Sequence, residues 1–412
     1  MTASGKIIFV NRFFHPDHSA TSQILSDLAF DLARKNQVVV ITSRLIYDDP
    51  ARRLPAAEVV NGVRTHRVAT TGFGRSSLMG RLIDLVSFYV SACWALLSIA
   101  RPGDLVIAKT DPPLLSVFAG PAAALKRARL INWLQDVYPE VAGALGARFV
   151  AGALGGLPTA LRNASLRGAH TNVVLGERMA LHLRASGVPS AQIAIVPNWS
   201  DEAAITPVAH AANPLRADWG LKDRFVVGYS GNLGRAHEFE TMLGAAHQLR
   251  SDPAVVFLMI GGGHHMAALK TAARDAGLTN IVFKPYQPLE ALSASLSAAD
   301  VHWISLRPEL EGLIVPSKVY GILAAGRPVL AVTDPEGEIA QLVRTHRCGV
   351  HVAPGDPTAF ADAIRGMARN PERARTLGVA ARAAAEGFCS RETALSRWRA
   401  ILRDAAVSPV VA

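Results

Sequence analysis

The sequence predicts an α/β protein in which two doubly wound domains, each built on a parallel sheet, follow one another. Its 412 residues are more than one compact core usually holds. Short apolar runs of strand length alternate with segments of helix length, and most runs lack the clean alternation of a half-exposed strand. Because such a pattern produces parallel strands covered by helices, and because it occurs twice, we expect two Rossmann-like domains.

The predicted strands fall into a first domain over residues 1–200 and a second over 221–385. In the first domain they are 6–11, 37–43, 63–68, 104–109, 129–135, 171–175 and 192–198. In the second they are 225–230, 254–261, 280–286, 300–306, 328–332 and 349–352. Residues 201–220, which contain Pro, Asp and Asn, are predicted to be the linker. A last helix over 386–405, with a stripe of Leu395, Trp398 and Leu402, is expected to pack back on the first domain.

The apolar segment LIDLVSFYVSACWALLSIA (82–100) approaches the length of a membrane span. Asp84 and three serines interrupt it. Three interpretations stay open: a buried crossover helix, a helix lying in the membrane interface beside Arg75, Arg81 and Arg101, and a transmembrane span.

Positive charge is concentrated in the first half of the chain. Residues 1–200 contain 21 Lys and Arg against 12 Asp and Glu, a balance of +9, whereas the remainder contains 22 against 21. An anionic partner would explain this, and so would a surface of solvated arginines. Aromatic residues make up only 6% of the chain, and no nucleic-acid-binding motif accompanies the basic residues. We therefore expect an anionic membrane surface as a partner and no nucleic acid.

The cysteines and the first residues favour a reducing compartment. Cys93, Cys348 and Cys389 lie far apart, and none belongs to a C-x-x-C pair. The opening MTASGKIIFVNRFF has no apolar stretch of the length that a secretory signal needs. The expected localisation is cytoplasmic, peripheral on the inner face of the plasma membrane.

Two glycine-rich turns follow neighbouring strands of the second domain and predict a phosphate site. The first is GYSGNLGRAHE (228–238), in which Gly231 and Gly234 allow close approach of the backbone, and the second is GGGHHM (261–266). We expect the amides of a helix that starts directly after the first turn to point at an anion. Arg235 and His237 would add positive charge. A merely tight connection is the structural alternative.

A third feature of the second domain is Lys318, in the segment EGLIVPSKVYGILAAGRPVLA. The residues Pro316 and Ser317 predict a helix start, so this lysine lies in the first turn. The helix dipole disfavours a cation there unless an anion is bound nearby. The arrangement therefore favours a phosphate beside Lys318, with a solvated lysine as the alternative.

These segments together resemble the family 4 glycosyltransferases, which have the GT-B fold of two Rossmann-like domains facing across a cleft. The resemblance rests on YSGNLGRAHEFETML, MIGGGHHMAAL, LSAADVHWISL and EGLIVPSKVYGILAAGRPVLA in the second half, and on NRFFHPDHSATSQILSDLAFDLA and WLQDVYPEVAGALG in the first. It covers nearly the whole chain. The P-S-K-x-Y form is most similar to enzymes of O-antigen and colanic-acid synthesis, including fucosaminyltransferase-like members.

The resemblance implies transfer of a sugar from a nucleotide-sugar donor, expected to carry UDP, with retention of anomeric configuration. The residues that it implies for the donor diphosphate are Gly231, Asn232, Gly234, Arg235 and Lys318. Those implied for the base and ribose are Gly262, Lys284, Tyr286 and Tyr320. Catalytic roles fall to Glu309 or Glu311 at the donor sugar and to Asp136 at the acceptor hydroxyl, and His15 and Ser19 would face the donor from the first domain. The alternative role for Asp136 is to cap the local backbone.

Gly321 is the main departure from the family pattern, because it occupies the place of the second of two paired glutamates. The spacing of Glu311 also differs from the family pair, and Ser19 and Ala20 replace a Gly-Gly. No D-x-D motif occurs, so we expect no metal or other cofactor and assign charge neutralisation to protein cations.

The resulting prediction is a glycosyltransferase that extends a polyprenyl-diphosphate-linked oligosaccharide in bacterial surface polysaccharide synthesis. The alternative is a nucleotide-sugar 2-epimerase of the same architecture, which needs neither an acceptor nor a membrane. A binding module that has lost turnover, suggested by Gly321, is a third possibility.

Overall fold

The computed structural model describes residues 5–47, 49, 52–74, 78–147 and 156–407, and divides the chain into two units. The first unit extends to Pro197 and also includes the chain from Leu395 onward, and the second unit is Asn198–Ala394. We describe each unit by itself. Arg75 lies outside the described residues.

The first unit contains an eight-stranded sheet in the order β3-β4-β2-β1-β5-β6-β7-β8. Its strands are β1 Ile7–Val10, β2 Val38–Ser43, β3 Ala57–Val60, β4 Val63–Val68, β5 Leu105–Lys109, β6 Arg129–Trp133, β7 Thr171–Val174 and β8 Ile193–Ile195. All seven predicted strands are confirmed, and all pair in parallel. The sequence analysis missed β3, which pairs antiparallel with β4. Asn61 and Gly62 join them with φ of 48° and 82°, the conformation of a tight hairpin turn.

Helices cover this sheet, and one of them has two different apolar faces. The helices are α1 Ala20–Ala33, α2 Leu78–Ile99, α3 Leu115–Leu125, α4 Glu140–Ala144, α5 Gly156–Gly168 and α6 Glu177–Ala185. In α2, Phe88 and Leu96 are buried against the sheet, whereas Val86, Val90 and Trp94 on the other side are 49%, 65% and 74% exposed. The segment 82–100 is thus a helix with only one face buried. Among the described residues, Met79–Ile99 is the helix long and apolar enough to cross a membrane.

The second unit contains a six-stranded parallel sheet in the order β11-β10-β9-β12-β13-β14. The strands are β9 Phe225–Asn232, β10 Val255–Gly262, β11 Ile281–Lys284, β12 Val301–Ser305, β13 Val329–Val332 and β14 Gly349–Val352, which confirms the six predicted ones. The helices are α7 Pro214–Asp218, α8 Glu240–Gln248, α9 Met266–Asp275, α10 Leu292–Ser297, α11 Lys318–Ala324, α12 Glu338–His346, α13 Pro357–Ala368 and α14 Pro371–Glu386. Apolar clusters on both faces bury β9, β10 and β12, as their uninterrupted apolar runs predict.

Residues 201–220 differ from the predicted linker because they belong to the second unit. The guanidinium of Arg216 is buried, bonds the Asp300 carboxylate at 3.0 Å and reaches the carbonyl oxygens of Leu221 and Ala298. The amide of Val208 also bonds the Ser297 hydroxyl at 3.0 Å. The Pro and Asp residues of this stretch therefore mark an irregular segment that packs within the second unit. It can do so because the Arg216 side chain alone satisfies several carbonyl groups.

The last helix, α15, spans Arg391–Val407. From Leu395 onward it belongs to the first unit. Trp398 packs edge-on against Trp133, with ring centroids 4.6 Å apart, and Arg399 pairs with Asp31 at 2.8 Å. The apolar stripe that the sequence shows is thus buried on the first unit.

Candidate active site

The strand order of the second unit creates a switch point between β9 and β12. The chain runs from β9 to β10 and β11 on one side, and from β12 to β13 and β14 on the other. Ligands of open α/β sheets bind where the order reverses, beyond the carboxyl ends of the strands. The first glycine turn follows β9, and the segment that leads to Lys318 follows β12.

The two glycine turns pack directly against each other, as the sequence predicts. The amide of Leu233 bonds the Gly262 carbonyl at 2.7 Å, and the amide of His265 bonds the Leu233 carbonyl at 2.9 Å. Gly231 and Gly261 have φ of 125° and 120°, a backbone region that residues other than glycine rarely adopt. A Cβ on Gly261 would collide with the carbonyl oxygen of Gly231. Only glycine allows the two backbones to approach so closely.

Lys318 lies over the first turn and is fixed there by His237. A Cβ on Gly231 would be 2.9 Å from Cε of Lys318, and Nζ lies 5.4 Å from the ring centroid of Tyr229. Nζ is also 3.0 Å from Nε2 of His237, whose Nδ1 faces the carbonyl of Ser305. Because that carbonyl can only accept, we assign the proton to Nδ1, which leaves Nε2 to accept from the ammonium group.

Burial adjusts the charges of this pair. It lowers the pKa of Lys318 to about 8. Burial and the neighbouring Lys318 lower the pKa of His237 to about 3, so the imidazole is neutral near pH 7. The prediction that His237 adds positive charge is therefore wrong. Its role is to hold the lysine.

The helix after the first turn also differs from the prediction. α8 begins at Glu240, eight residues beyond the end of β9, and the carboxylate of Glu238 accepts from the Thr241 amide at 3.0 Å. The start of this helix is therefore occupied by its own acidic residue. Asn232, the last residue of β9, and Arg235, in the turn that follows, are exposed, and Gly234 is half-buried beside Asn232.

The residues predicted at the base and ribose separate into two groups. The ring of Tyr286 covers Gly261 and Gly262, since a Cβ on either glycine would lie within 3.4 Å of it, and Tyr286 is 60% exposed. Lys284 is half-buried, with Nζ 5.4 Å from the ring centroid of Trp219. Tyr320 instead is 3% exposed and belongs to the core around α11. Its position gives it a packing role, which corrects the prediction for this residue.

The two candidate glutamates have different environments. Glu309 is exposed, and Arg307 pairs with it at 3.1 Å. Glu311 is half-buried at the start of α12, where its carboxylate lies against Gly337 and Oε2 is 3.4 Å from the amide nitrogen of Glu338. Burial raises the pKa of Glu311 to about 7, and its Oε1 has no hydrogen-bond partner among the described residues. Glu311 is therefore the better candidate to accept a hydrogen bond from a hydroxyl group of a ligand.

Gly321, at the place of the family's second glutamate, lies next to apolar side chains. A Cβ there would be 3.5 Å from Leu296 and 4.0 Å from Ile205. Among the described residues outside the backbone of its own helix, no polar group lies within 4 Å of that position, so the departure from the family pattern is consistent with its surroundings.

In the first unit, Asp136 belongs to a buried charged cluster that the sequence analysis did not identify. Lys109 ends β5, donates to the Thr21 carbonyl at 2.8 Å and stacks over the ring of Trp133. Burial and the neighbouring Asp111 raise the pKa of Asp136 to about 6, and burial lowers the pKa of Lys109 to about 7. A lysine at the end of the strand DLVIAK (104–109) was the available signal, because a strand end buried on both faces normally excludes charge.

His15 and Ser19 lie at the same sheet edge as this cluster. Ser19 is the N-cap residue of α1, its amide bonds Asp17 at 2.8 Å, and its hydroxyl is buried without a hydrogen-bond partner among the described residues. Thr21, two residues further, donates to the Asp111 carboxylate at 3.1 Å. His15 is exposed and lies edge-on to Phe30. The structure thus brings Ser19 close to the cluster of Asp136.

Comparison with known families assigns both halves of the chain. A family described as "Glycosyl transferase 4-like domain" matches residues 20–199, and one described as "Glycosyl transferases group 1" matches residues 224–370. The chain is 30% identical over 333 residues to the "Putative colanic acid biosynthesis glycosyl transferase WcaI" of Escherichia coli (strain K12), an alignment that covers 78% of this chain and 79% of the relative.

Solved structures show the same fold. The sucrose-phosphate synthase of Thermosynechococcus elongatus superposes with a TM-score of 0.77 at 20% identity, covering 97% of this chain and 98% of the other. HepE of Anabaena, solved with UDP, superposes with a TM-score of 0.74 at 15% identity, covering 97% and 100%. The fold is therefore GT-B, and the chain belongs to the family 4, or group 1, glycosyltransferases.

Proposed function

We propose that this enzyme transfers a sugar, with retention, from a UDP-linked donor to a lipid-linked oligosaccharide in the synthesis of a bacterial surface polysaccharide. The observation that carries the proposal is the position of Lys318 over the turn at Gly231, held by a neutral imidazole. Diphosphate is the leaving group of such a reaction, and a fixed cation beside close-packed backbone stabilises the charge that develops on it.

The donor would lie along the switch-point edge of the second unit. Its diphosphate would contact the turn at residues 231–235 and Lys318, and its base would lie near Tyr286 and Lys284. The carboxylate of Glu311, which has an unpartnered oxygen, would accept from a hydroxyl group of the sugar. HepE, with the same fold, was solved with UDP.

Asp136 would act on the acceptor. A carboxylate with a pKa of about 6 is mostly ionised at pH 7 yet basic enough to take a proton from a hydroxyl group as transfer proceeds. Lys109, beside it, would stabilise the ionised form. The relative WcaI is named for colanic acid biosynthesis, which supports a polysaccharide acceptor.

We place the enzyme on the cytoplasmic face of the membrane. The first half of the chain has a balance of +9. This positive charge suits an anionic bilayer surface.

The first experiment is thermal unfolding of the purified protein with a panel of nucleotide sugars. A ligand present at 100 times its Kd stabilises a protein by about 2.7 kcal/mol. We expect stabilisation by UDP and one UDP-sugar, its loss in Lys318→Met, and its retention in Lys222→Met, an exposed lysine of the same unit. EDTA should not change it, since the proposal assigns the diphosphate to protein cations. Equal stabilisation of both variants would refute the proposed site.

The second experiment supplies the stabilising UDP-sugar with a bacterial lipid extract. Radiolabelled sugar should enter the lipid fraction, and its amount should depend on the extract. Conversion of the UDP-sugar into an isomer without any extract would instead indicate the epimerase, which the matched families do not favour.

A further inference from the structure

The first unit contains a large apolar groove of about 1280 Å³ between α2 and α3. Small-molecule sites usually have about 300–1,000 Å³, so this groove exceeds the needs of a sugar. Side chains of α2 form one wall, including Leu82, Val86, Val90 and Trp94, and Phe118 of α3 forms part of the other. Almost the whole lining is apolar. Such a surface suits a long hydrocarbon chain.

Aromatic packing gives the groove a fixed shape. Tyr89 and Phe118 stack with ring centroids 4.4 Å apart and an angle of 15° between the planes, which joins α2 to α3. The hydroxyl of Tyr89 also donates to the carbonyl of Pro113. Because these contacts join parts of the protein to each other, they hold the groove in one shape, and little ordering cost opposes binding.

A second cavity of about 720 Å³ borders the groove; we call it the polar cavity because its lining, although mostly apolar, contains four charged residues, Arg12, Arg81, Asp84 and Asp111. The two share Leu85, Pro113 and Tyr138, and the polar cavity adds Arg12 and Arg81. Arg81 is exposed there, and Nε of Arg12 is buried without a hydrogen-bond partner among the described residues. Two guanidinium groups beside an apolar groove match a chain that terminates in phosphate.

Two carboxylates also line the polar cavity, and both are already engaged. Asp84 accepts from the Thr71 hydroxyl at 2.7 Å and from the amides of Phe73 and Gly74 at 3.0 and 3.1 Å. Asp111 accepts from Thr21. Asp84 lies 3.8 Å from Nη2 of Arg12. It therefore pairs with one side of that guanidinium group and leaves Nε without a hydrogen-bond partner among the described residues.

Tyr138 connects this region to the candidate acceptor base. It borders the apolar groove, the polar cavity and a small internal cavity that is lined by Lys109 and Asp136. Asp136 precedes it by two residues. A molecule with its chain in the groove would therefore have its polar end beside the carboxylate that the proposed function assigns to the acceptor hydroxyl.

We propose that the groove binds the isoprenoid chain of the acceptor and that Arg12 and Arg81 bind its diphosphate. This inference rests on the proposed function, because it names the site for the lipid part of the acceptor. It assigns the exposed face of α2 to a single lipid molecule rather than to the bilayer as a whole.

The test measures binding of geranylgeranyl diphosphate, below its aggregation concentration, to the purified full-length protein. Of the six tryptophans, all of which lie in the described part of the chain, Trp94 is the exposed one. We expect the probe to shift tryptophan emission to the blue and to protect it from acrylamide, and we expect Trp94→Phe to remove this signal. Inorganic diphosphate should bind at least about tenfold more weakly, since it lacks the apolar chain.

Two variants with matched controls locate the two ends of the probe. Val90→Glu places a charge in the groove and should weaken binding at least about tenfold, whereas Val59→Glu, at a position 71% exposed on β3, should not. Arg81→Gln should weaken the binding of geranylgeranyl diphosphate without affecting that of geranylgeraniol. Arg64→Gln, at an exposed arginine of β4, should affect neither. UDP-induced stabilisation should be unchanged in all four variants, which also shows that they fold.

The outcomes separate this inference from the proposed function. Stabilisation by UDP without any binding of geranylgeranyl diphosphate would overturn the inference alone, whereas no response to any nucleotide would overturn the proposed function. Vesicle binding that Val90→Glu abolishes, with unchanged affinity for geranylgeranyl diphosphate, would assign the face of α2 to the bilayer and would also overturn the inference.

Discussion

Lys318 donates from Nζ to Nε2 of His237 at 3.0 Å, and the opposite nitrogen of the imidazole faces the carbonyl of Ser305. This relay connects α11 to the end of β12 and directs the ammonium group over the turn at Gly231. These contacts within the protein fix the position of a long, flexible side chain. The first three predictions test this arrangement.

The affinity for UDP should depend on the protonation of Lys318. Burial lowers its pKa to about 8, so the charged form predominates below that pH and is lost above it. We expect the Kd for UDP to be constant from about pH 6.5 to 7.5 and to rise above about pH 8. Lys318→Met should bind about 10- to 100-fold more weakly and should lose this rise in calorimetric titrations. A wild-type Kd that stays flat to pH 9.5 would contradict the assignment.

Removing the acceptor of the relay should release the lysine. His237→Phe keeps a ring of similar size but cannot accept from Nζ, so we expect UDP to bind about five- to tenfold more weakly, the effect of one hydrogen bond. His247→Phe, at an exposed histidine of α8, is the matched control and should bind normally. Equal affinities of the two variants would show that His237 does not position Lys318.

Gly231 should not tolerate a side chain. Alanine there combines an unfavourable φ of 125° with a Cβ 2.9 Å from Cε of Lys318. Gly355 has φ of 83° but open space around its Cβ position, so Gly355→Ala has the backbone cost without the collision. Both variants should lose about 1–2 kcal/mol of stability from the backbone cost, with a further loss from the collision in Gly231→Ala, measured by urea unfolding. Only Gly231→Ala should lose affinity for UDP. Retained affinity would separate the turn from the site.

Glu311 should affect the donor sugar and not the nucleotide. Its pKa is raised to about 7, so affinity for the UDP-sugar, relative to UDP, should increase as the pH rises through about 7. Glu311→Gln should remove that dependence. Gly337→Ala pushes a Cβ into the Glu311 carboxylate. It should lower the affinity for the UDP-sugar without changing any charge or the affinity for UDP. If Gly337→Ala were as active as the wild type, the carboxylate would not need its present position.

Asp136 should govern transfer rather than donor binding. The raised pKa of about 6 means that the ionised base forms as the pH rises through 6, so kcat should fall about tenfold for each pH unit below that value. Asp136→Asn should lower kcat by at least about a hundredfold while leaving UDP stabilisation intact. Asp362→Asn, at an exposed ion pair, controls for loss of surface charge. Normal turnover of Asp136→Asn would assign the residue to local structure.

Most of the fold could be predicted because its central strands are buried on both faces and therefore appear as continuous apolar runs. β3 was missed for the opposite reason, since its short run of Ala57–Val60 alternates between exposed and half-buried positions. The turn Asn61–Gly62 was the signal for this hairpin. Residues 201–220 were misassigned because composition alone does not show that Arg216 is buried.

The candidate site was predictable only where the order of the strands alone brings residues together. Glycine turns on adjacent strands meet because parallel strands end at one edge, and this follows from the sequence. The contact of Glu311 with Gly337 joins a loop to the start of another helix, and the neutral state of His237 depends on burial; a sequence displays neither. Tyr320 resembled a ligand contact because its neighbour Lys318 does lie at the turn, yet the helix directs the two side chains differently.

The anchoring of Arg216 in the second unit decides where hybrid enzymes can be joined. Its guanidinium group donates hydrogen bonds to four carbonyl groups and to the Asp300 carboxylate. A graft that starts at residue 221 would therefore leave those acceptors without their donor. A transplant meant to exchange sugar preference between relatives should therefore start at Asn198 and end before Leu395, with the recipient keeping its own C-terminal segment. Hybrids cut inside 201–220 should be recovered mainly as insoluble material.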